Sequence, residues 1–587
     1  MKIVSLSLGH NCTAAYFVDG ECLKIYHEEK FNNIKSYFGL PTLALKEILK
    51  EVKVNDLDYI SISSTQFIFL GTNNATGSTI ENISRSNFRK IYDLIEIKSN
   101  LKPLFTGFRN FILKYLVSPK AKKHLEKFLL EEFKIDNKKI QYFDHHFCHC
   151  LTPFHFYNLA SLNKDVFLVS LDGAGDFYWG KVYKYSHKSK TFKNLIKLPF
   201  DTSIGLLWNS VTRYLGMKVN EHEYKVMGLA AYVSDKKYYQ EIYDKFKKIV
   251  YLDKKTLQFK SRFNTAISHI YMKENFAYYR FDNIAAALQT YTEDLIIEWL
   301  SRLIKKYKIK NIAFSGGVIM NVKLNQKIAE TFTDLDSIYF QPSGGDESNV
   351  IGATTKIFID NNIALKPVKT MYLGLDYSSD EIEKYINKNF KNKKYKITKH
   401  SKIENKIASL LSNFKVVALF RGKGEWGARS LCNRSILANG SDLKSFYEVN
   451  DMIKMRDFWM PFAPTINASW ASKYIKDWKN IKEKLYDSTK YMIIAFNGTD
   501  LAKQHLRAAI HQKDKTLRPQ IVDKTDNPFL VKVLEEYQKL TGMGGFMNTS
   551  LNIHGYPLVN SLAQAKFTLE NSGLKYLVIN NYLIEKL

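Results

Sequence analysis

A chain of 587 residues, 45% hydrophobic and 25% charged, is long enough for two buried cores, and its balance excludes intrinsic disorder and a disulfide-stapled miniature fold. Its net charge of +28, from 86 Lys and Arg against 58 Asp and Glu, is spread along the chain mostly as Lys, without the clustered basic arm of a nucleic-acid binder. The five cysteines form no CxxC pair, and no apolar run approaches the roughly 20 residues of a membrane span, so a reduced, cytoplasmic protein with no membrane span is expected.

The N-terminal segment KIVSLSLGHNCTAAYFVDGECLKIYHEEKF predicts a strand, a polar turn, a second strand, a DG turn and a third strand. DVFLVSLDGAGDFYWGKVYKYSH repeats that plan, which points to an internal duplication. Two such glycine-rich turns facing one another could bring backbone N–H groups to a phosphate chain from both sides. Between them, roughly residues 65–139 are basic and helically patterned. This stretch reads as an insertion packing its apolar stripe on the domain, in preference to a helix on a membrane surface. Helical periodicity over 283–307 leads into the strand KNIAFSGG and a helix at VIMNVKLNQKI. DSIYFQPSGGDESNVIGAT then supplies another strand, glycine turn and helix, the alternation of an α/β domain. The polar, proline-bearing NNIALKPVKT marks a boundary near residues 364–369, dividing the chain into domains at 1–365 and 370–587.

Three constellations carry chemistry. In DHHFCH, His145 and His149 are four apart, which on a helix puts both imidazoles on one face. Asp172 in SLDGAGD and Asp346 in PSGGDES each present a carboxylate from a glycine-rich turn. Together the four residues form a candidate mixed N/O site suited to Fe²⁺, Mn²⁺ or Zn²⁺; the C-x-C of Cys148 and Cys150 reads as packing. Next, SGGVIMN places Gly316, Gly317 and Asn321, and SGGD places Gly344 and Gly345, where a strand enters a helix and backbone can approach a phosphate. Finally, a run of cations follows in the C-terminal part: Arg421, Lys423, Arg429 and Arg434, then Lys454 and Arg456, then Arg518, with Asn548, Ser550 and Asn552 beyond a short strand. Arginine forks and small polar side chains suit two phosphate-bearing ligands in one cleft.

The runs SLGHNCTAA, DHHFCH, SLDGAGD, EHEYKVMGLAAY, FSGGVIMNVKLNQKI, QPSGGDESN, GEWGARSLCNRSILAN, MIKMRDFWMPFAP and MNTSLN span nearly the whole chain. Together they resemble the O-carbamoyltransferase family of the nodulation, cephamycin and tobramycin type. The resemblance implies an α/β protein with a duplicated actin/Hsp70-like N-terminal domain and a YrdC-like C-terminal domain. It implies that the C-terminal domain joins carbamoyl phosphate and ATP, with Mg²⁺, into carbamoyladenylate and pyrophosphate. The N-terminal domain then passes the carbamoyl group to a hydroxyl of a small metabolite or sugar. It further implies a divalent metal, iron in the best-known case, on His145, His149, Asp172 and Asp346. His10 becomes the candidate base and Lys35 a stabiliser of developing charge. Gly173, His222 and Lys225 join the glycines above around the nucleotide. The chain departs from the family at Cys150-Leu-Thr-Pro, at GARSLCNRS in place of GPRALGNRS, and at KDKTLRP, which lacks the expected glycine.

The rival reading is a tRNA-modifying, threonylcarbamoyl-type enzyme or an RNA binder, suggested by the domain types and the charge; the chain has no RNA-recognition motif, and no nucleic-acid partner is expected. Hydrogenase-maturation chemistry, which uses the same two domains, would call for zinc-finger CxxC pairs that are absent. The sequence leaves the acceptor and the oligomeric state open.

Overall fold

The computed structural model describes residues 1–66, 114–115, 118–391 and 393–587. They fall into two compact units, one of 1–29 with 36–369, the other of 370–587 together with the short segment Lys30–Lys35.

The first unit is built twice. One sheet runs in the order 21–27, 13–18, 2–7, 59–62, 140–142; the other runs 191–199, 178–186, 166–175, 311–315, 337–340. In both, the first three strands are antiparallel and the remaining two join in parallel. This strand-for-strand repetition is the actin/Hsp70-like duplication expected from the two matching segments. The helix His145–Phe156 follows the first sheet but packs on the second, while Asn349–Asp360 follows the second and packs on the first. The two helices press on each other so closely that a Cβ on Gly352 would lie 1.9 Å from the Cys148 carbonyl oxygen. Because His145–Phe156 is covered on nearly every side, its apolar residues surround it in place of the one-sided stripe of a surface helix.

Of the basic stretch at 65–139, residues 67–113 lie outside the described residues. Helix Ser118–Phe133 within it buries Ala121, Leu125, Leu129 and Phe133, one stripe at helical spacing, and turns its lysines outward.

The second unit is an eight-stranded mixed sheet in the order 395–399, 582–586, 576–579, 417–420, 434–438, 545–550, 463–467, 520–522. Strand alternation divides its core cleanly. Val417, Leu419 and Leu437 face helices Ile403–Ser412 and Pro528–Thr541, whereas Ala418, Phe420, Ile436 and Ala438 face Ser379–Asn389, Leu443–Val449 and Leu562–Glu570.

Candidate metal and phosphate sites

The first site begins with a helix cap. Asp144 accepts a hydrogen bond from Phe147 N (2.9 Å) and pairs with the buried Lys181, which starts the helix at His145. One turn later His149 comes onto the same face, with the two Nε2 atoms 3.2 Å apart. His146 points the other way, its ring nitrogens meeting Ser170 Oγ (2.8 Å) and the Tyr178 carbonyl oxygen (2.9 Å). Burial, with His145 and His149 nearby, pushes His146 down to about 3, so it stays neutral.

Two carboxylates complete the face. Asp346 Oδ1 lies 3.4 Å from His145 Nε2 and 3.3 Å from His149 Nε2, and Asp172 Oδ2 lies 3.4 Å from His145 Nε2. All four donor atoms fall within 4.8 Å of one another, and among the described residues no second such cluster gathers. Burial alone would lower His145, but the carboxylates of Asp346 and Asp172 hold it well above its ordinary value; Asp346 is held low by the two imidazoles against its own burial.

The donor set fits a divalent cation. Metal bonds of about 2.1 Å at tetrahedral to octahedral angles put neighbouring donors about 3.0–3.4 Å apart, which is the spacing of His145 to His149, Asp172 and Asp346 and of His149 to Asp346, while His149 Nε2 to Asp172 Oδ2 is wider at 3.9 Å. The surrounding atoms also orient the ligands. Ser315 Oγ lies 3.4 Å from His149 Nδ1, so that Nε2 faces the cluster, where Asn349 Nδ2 also approaches it at 3.2 Å, and Gly317 N donates to Asp172 Oδ1 (2.7 Å), turning Oδ2 to the cluster. Asp176, which the sequence analysis passed over, accepts from His145 N (2.8 Å) and ties the helix start to residues 64–66. Its only signal in the sequence was a second carboxylate in the same turn as Asp172.

The expected phosphate glycines have a packing duty. A Cβ on Gly316, at φ +100°, would lie 2.1 Å from the Leu171 carbonyl oxygen, and one on Gly344 would lie 2.7 Å from that of Gly316. The three turns bearing Asp172, Gly316 and Asp346 thus stack backbone on backbone, and this brings the two aspartates together. A Cβ on Gly345 would strike the Glu347 carboxylate, whereas the corresponding position at Gly173 is open. Asn321 caps helix Val322–Thr331 through Lys323 N and Leu324 N and pairs with Gln289, so its side chain is committed to the fold. Lys225 is buried on helix Glu223–Ala230, and His222 accepts from Lys218 N at 3.1 Å just before it.

His10 reaches the Asn220 carbonyl oxygen at 3.1 Å, and Asn220 N donates in turn to Glu223 (2.8 Å). A carbonyl partner assigns the proton to Nε2. The neighbouring Asn11 contacts Glu347, the residue after Asp346, at 3.4 Å. Lys35, expected beside His10, is grouped instead with the second unit.

In that unit the cations divide by burial. Arg434 is fully buried, stacks 3.7 Å from the Phe420 ring and donates to the carbonyl oxygens of Arg421, Gly422, Leu375 and Asn433. It clamps the 421–424 loop, with both terminal nitrogens engaged by backbone carbonyl oxygens. Asn548 sits in the core, with Nδ2 among Thr465 Oγ1, Gln520 Oε1 and Cys432 Sγ at 3.1–3.3 Å. Ser550 and Asn552 hold the buried Lys454 ammonium through Ser550 Oγ (3.2 Å) and the Asn552 carbonyl oxygen (3.0 Å). Arg421 lies over the Phe529 ring at 3.8 Å, and Lys423 is exposed. The half-buried Arg518 is pushed down by its burial and by the charges of Arg429 and Arg456. Burial, Arg456 and Lys35 do the same to Lys454. Like charges gathered in this way favour an anion among them.

Both parts of the chain have counterparts among known proteins. Residues 2–355 match the family model described as the carbamoyltransferase N-terminus, and residues 408–586 match that of the carbamoyltransferase C-terminus. An uncharacterized protein of Methanocaldococcus jannaschii is 28% identical over 534 residues, covering 87% of this chain and 83% of its own. The nodulation protein NolNO of Sinorhizobium fredii is 25% identical over 596 residues, covering 98% and 79%. Among solved structures, HypF of T. kodakarensis overlaps 62% of this chain and 50% of its own with 11% identity and a TM-score of 0.34. Matched in both its parts, with residues 2–355 alone making up more than half its length, the protein belongs to the carbamoyltransferase family.

Proposed function

We propose that this protein is an ATP-dependent O-carbamoyltransferase that activates carbamoyl phosphate as carbamoyladenylate and carbamoylates a hydroxyl of a small metabolite or sugar. The reading rests on the meeting of His145, His149, Asp172 and Asp346 in a duplicated fold whose family is carbamoyl transfer. Carbamoyl phosphate first loses orthophosphate to water; the carbamate oxygen then attacks the α-phosphorus of ATP and expels pyrophosphate, so that carbamate, a poor electrophile, gains AMP as a good leaving group. In the second unit Arg429, Arg456 and Arg518, with the buried Lys454, have the charge to collect two phosphorylated substrates and to neutralise departing pyrophosphate.

In the first unit the two imidazoles and two carboxylates would hold a divalent cation, iron, manganese or zinc, which when bound supplies a Lewis acid beside the AMP phosphate. Asp176 and Gly317 N keep the ligands aimed. The acceptor hydroxyl has a high pKa, and His10 Nδ1 is the proposed base, its ring fixed by the Asn220 carbonyl. The open position at Gly173 lets a nucleotide phosphate approach the turn beside Asp172.

The test is incubation with ATP and carbamoyl phosphate and no acceptor, followed by mass spectrometry for carbamoyladenylate and an assay for pyrophosphate. Carbamoyl-phosphate-dependent formation of both is expected, and His149→Ala should retain it while losing metal and transfer. If the unaltered protein makes no adenylate, or if His149→Ala removes both half-reactions, the proposed division of labour is wrong.

A further inference from the structure

The segment after the first hairpin does not stay with the unit that encodes it. Glu29 Oε2 accepts from Ser36 N (2.8 Å), pinching the chain into a loop whose base belongs to the first unit. The six residues inside the pinch, Lys30–Lys35, belong to the second. Within the loop Asn32 Oδ1 accepts from Ile34 N (2.9 Å), and Asn33 and Ser36 take left-handed backbone at φ 61° and 54°, so the loop has a defined shape.

The loop is anchored at its start. Lys30, buried, donates from Nζ to the Glu425 carbonyl oxygen (2.6 Å), and its own carbonyl oxygen accepts from Gln564 Nε2 (3.1 Å). Glu425 is the organiser of the arginine-bearing turn. One of its carboxylate oxygens accepts from the backbone N–H groups of Leu431, Asn433 and Arg434 at 2.8, 2.8 and 3.1 Å. The loop is therefore tied to the turn that carries Arg429 and Arg434. At its far end, the charge of Lys35 acts on Lys454 alongside that of Arg456. Arg429 and Arg456 in turn act on Arg518, so the charge of Lys35 is felt in the part of the second unit where the arginines act on one another.

We infer that Lys35, carried by the Lys30–Lys35 loop, is a phosphate-binding residue of the activation site in the second unit and does not serve the acceptor at the transfer site. The inference rests on the activation chemistry proposed above. A carbamoyl phosphate and an ATP together bring more negative charge than Arg429, Arg456 and Arg518 balance, and Lys454 has its ammonium taken up by Ser550 and Asn552. Lys35 adds an ammonium on a flexible stem where that surplus falls. Because its loop grows out of the first unit's hairpin, the activation site is completed by a piece of the transfer domain's own chain.

The experiment compares Lys35→Ala, Lys35→Met and Lys35→Arg with the unaltered protein, all in the full chain. Inorganic pyrophosphate is the calorimetric probe, and acceptor-free, carbamoyl-phosphate-dependent pyrophosphate exchange into ATP is the second readout. Loss of one charge-assisted contact should weaken pyrophosphate binding about tenfold and cut exchange efficiency by a similar factor in Lys35→Ala and Lys35→Met. Lys35→Arg should recover most of both. Thermal unfolding establishes that the variants are folded, and Lys35→Met keeps the packed stem if Lys35→Ala does not fold. Unchanged pyrophosphate affinity in the folded variants, with a loss confined to acceptor transfer, would overturn the assignment. If the unaltered protein shows no exchange, the proposed function fails, while the binding comparison still decides where Lys35 acts.

Discussion

Asp176 offers the sharpest test of how the first site is held. Its Oδ1 accepts from Ser64 Oγ and Gln66 N, each at 3.0 Å, and its Oδ2 accepts from Thr65 N (3.0 Å), Thr65 Oγ1 (2.9 Å) and His145 N (2.8 Å). Asp176→Asn tolerates the left-handed φ of 44° and keeps the shape, so it isolates the loss of charge and of one acceptor. The amide NH₂ then faces the His145 N–H or the 65–66 backbone, donor against donor. One buried N–H losing its acceptor costs about 1–3 kcal/mol, and weakening the surviving charge-assisted bonds adds about 1 kcal/mol. A destabilisation of about 3 kcal/mol is expected in urea unfolding of the first unit. Loosening the His145 backbone should also cost about 10–100-fold in metal affinity, the usual toll for removing a group that orients a ligand. Competitive chelator titration with Zn²⁺ or Mn²⁺ measures this. A variant within about 0.5 kcal/mol of the unaltered protein, with the same metal affinity, would refute the view that this carboxylate aims the ligand helix.

Gly352→Ala should destabilise by about 2 kcal/mol or more and lower metal retention, because its Cβ would be driven into Cys148 O beside His149; thermal unfolding and metal analysis check both. Arg434→Lys should lower the stability of the second unit by about 2–4 kcal/mol, since an ammonium cannot reach four carbonyl oxygens from one planar fork, and adenylate formation should fall with it while metal binding survives. Adding divalent ion to chelator-treated protein at about 100 times its dissociation constant should stabilise the first unit by about 2.7 kcal/mol, and His149→Ala should abolish that gain in a calorimetric scan. The five cysteines are all buried, and Cys12, Cys22, Cys148, Cys150 and Cys432 have thiols pushed up chiefly by burial. A thiol reagent should therefore label the native protein far more slowly than the urea-unfolded one.

What the sequence settled by itself was whatever depends on neighbours a few residues apart. The spacing of His145 and His149 and the strand–turn–strand plan written twice are consequences of helical and pleated periodicity, and each is legible from a short stretch. The tertiary structure decided what depends on distant backbone meeting. Asp346 joins His149 from 197 residues away, and it does so because Gly316 and Gly344 let three turns stack without side chains between them. The cation run was visible as a list of residue types, yet only packing sorts it. Arg434 spends its fork on carbonyl oxygens, Arg518 is pushed down by the charges of Arg429 and Arg456, and the Lys30–Lys35 segment joins the second unit. A side chain's charge is written in the sequence, but the burial and partners that decide its work belong to the fold.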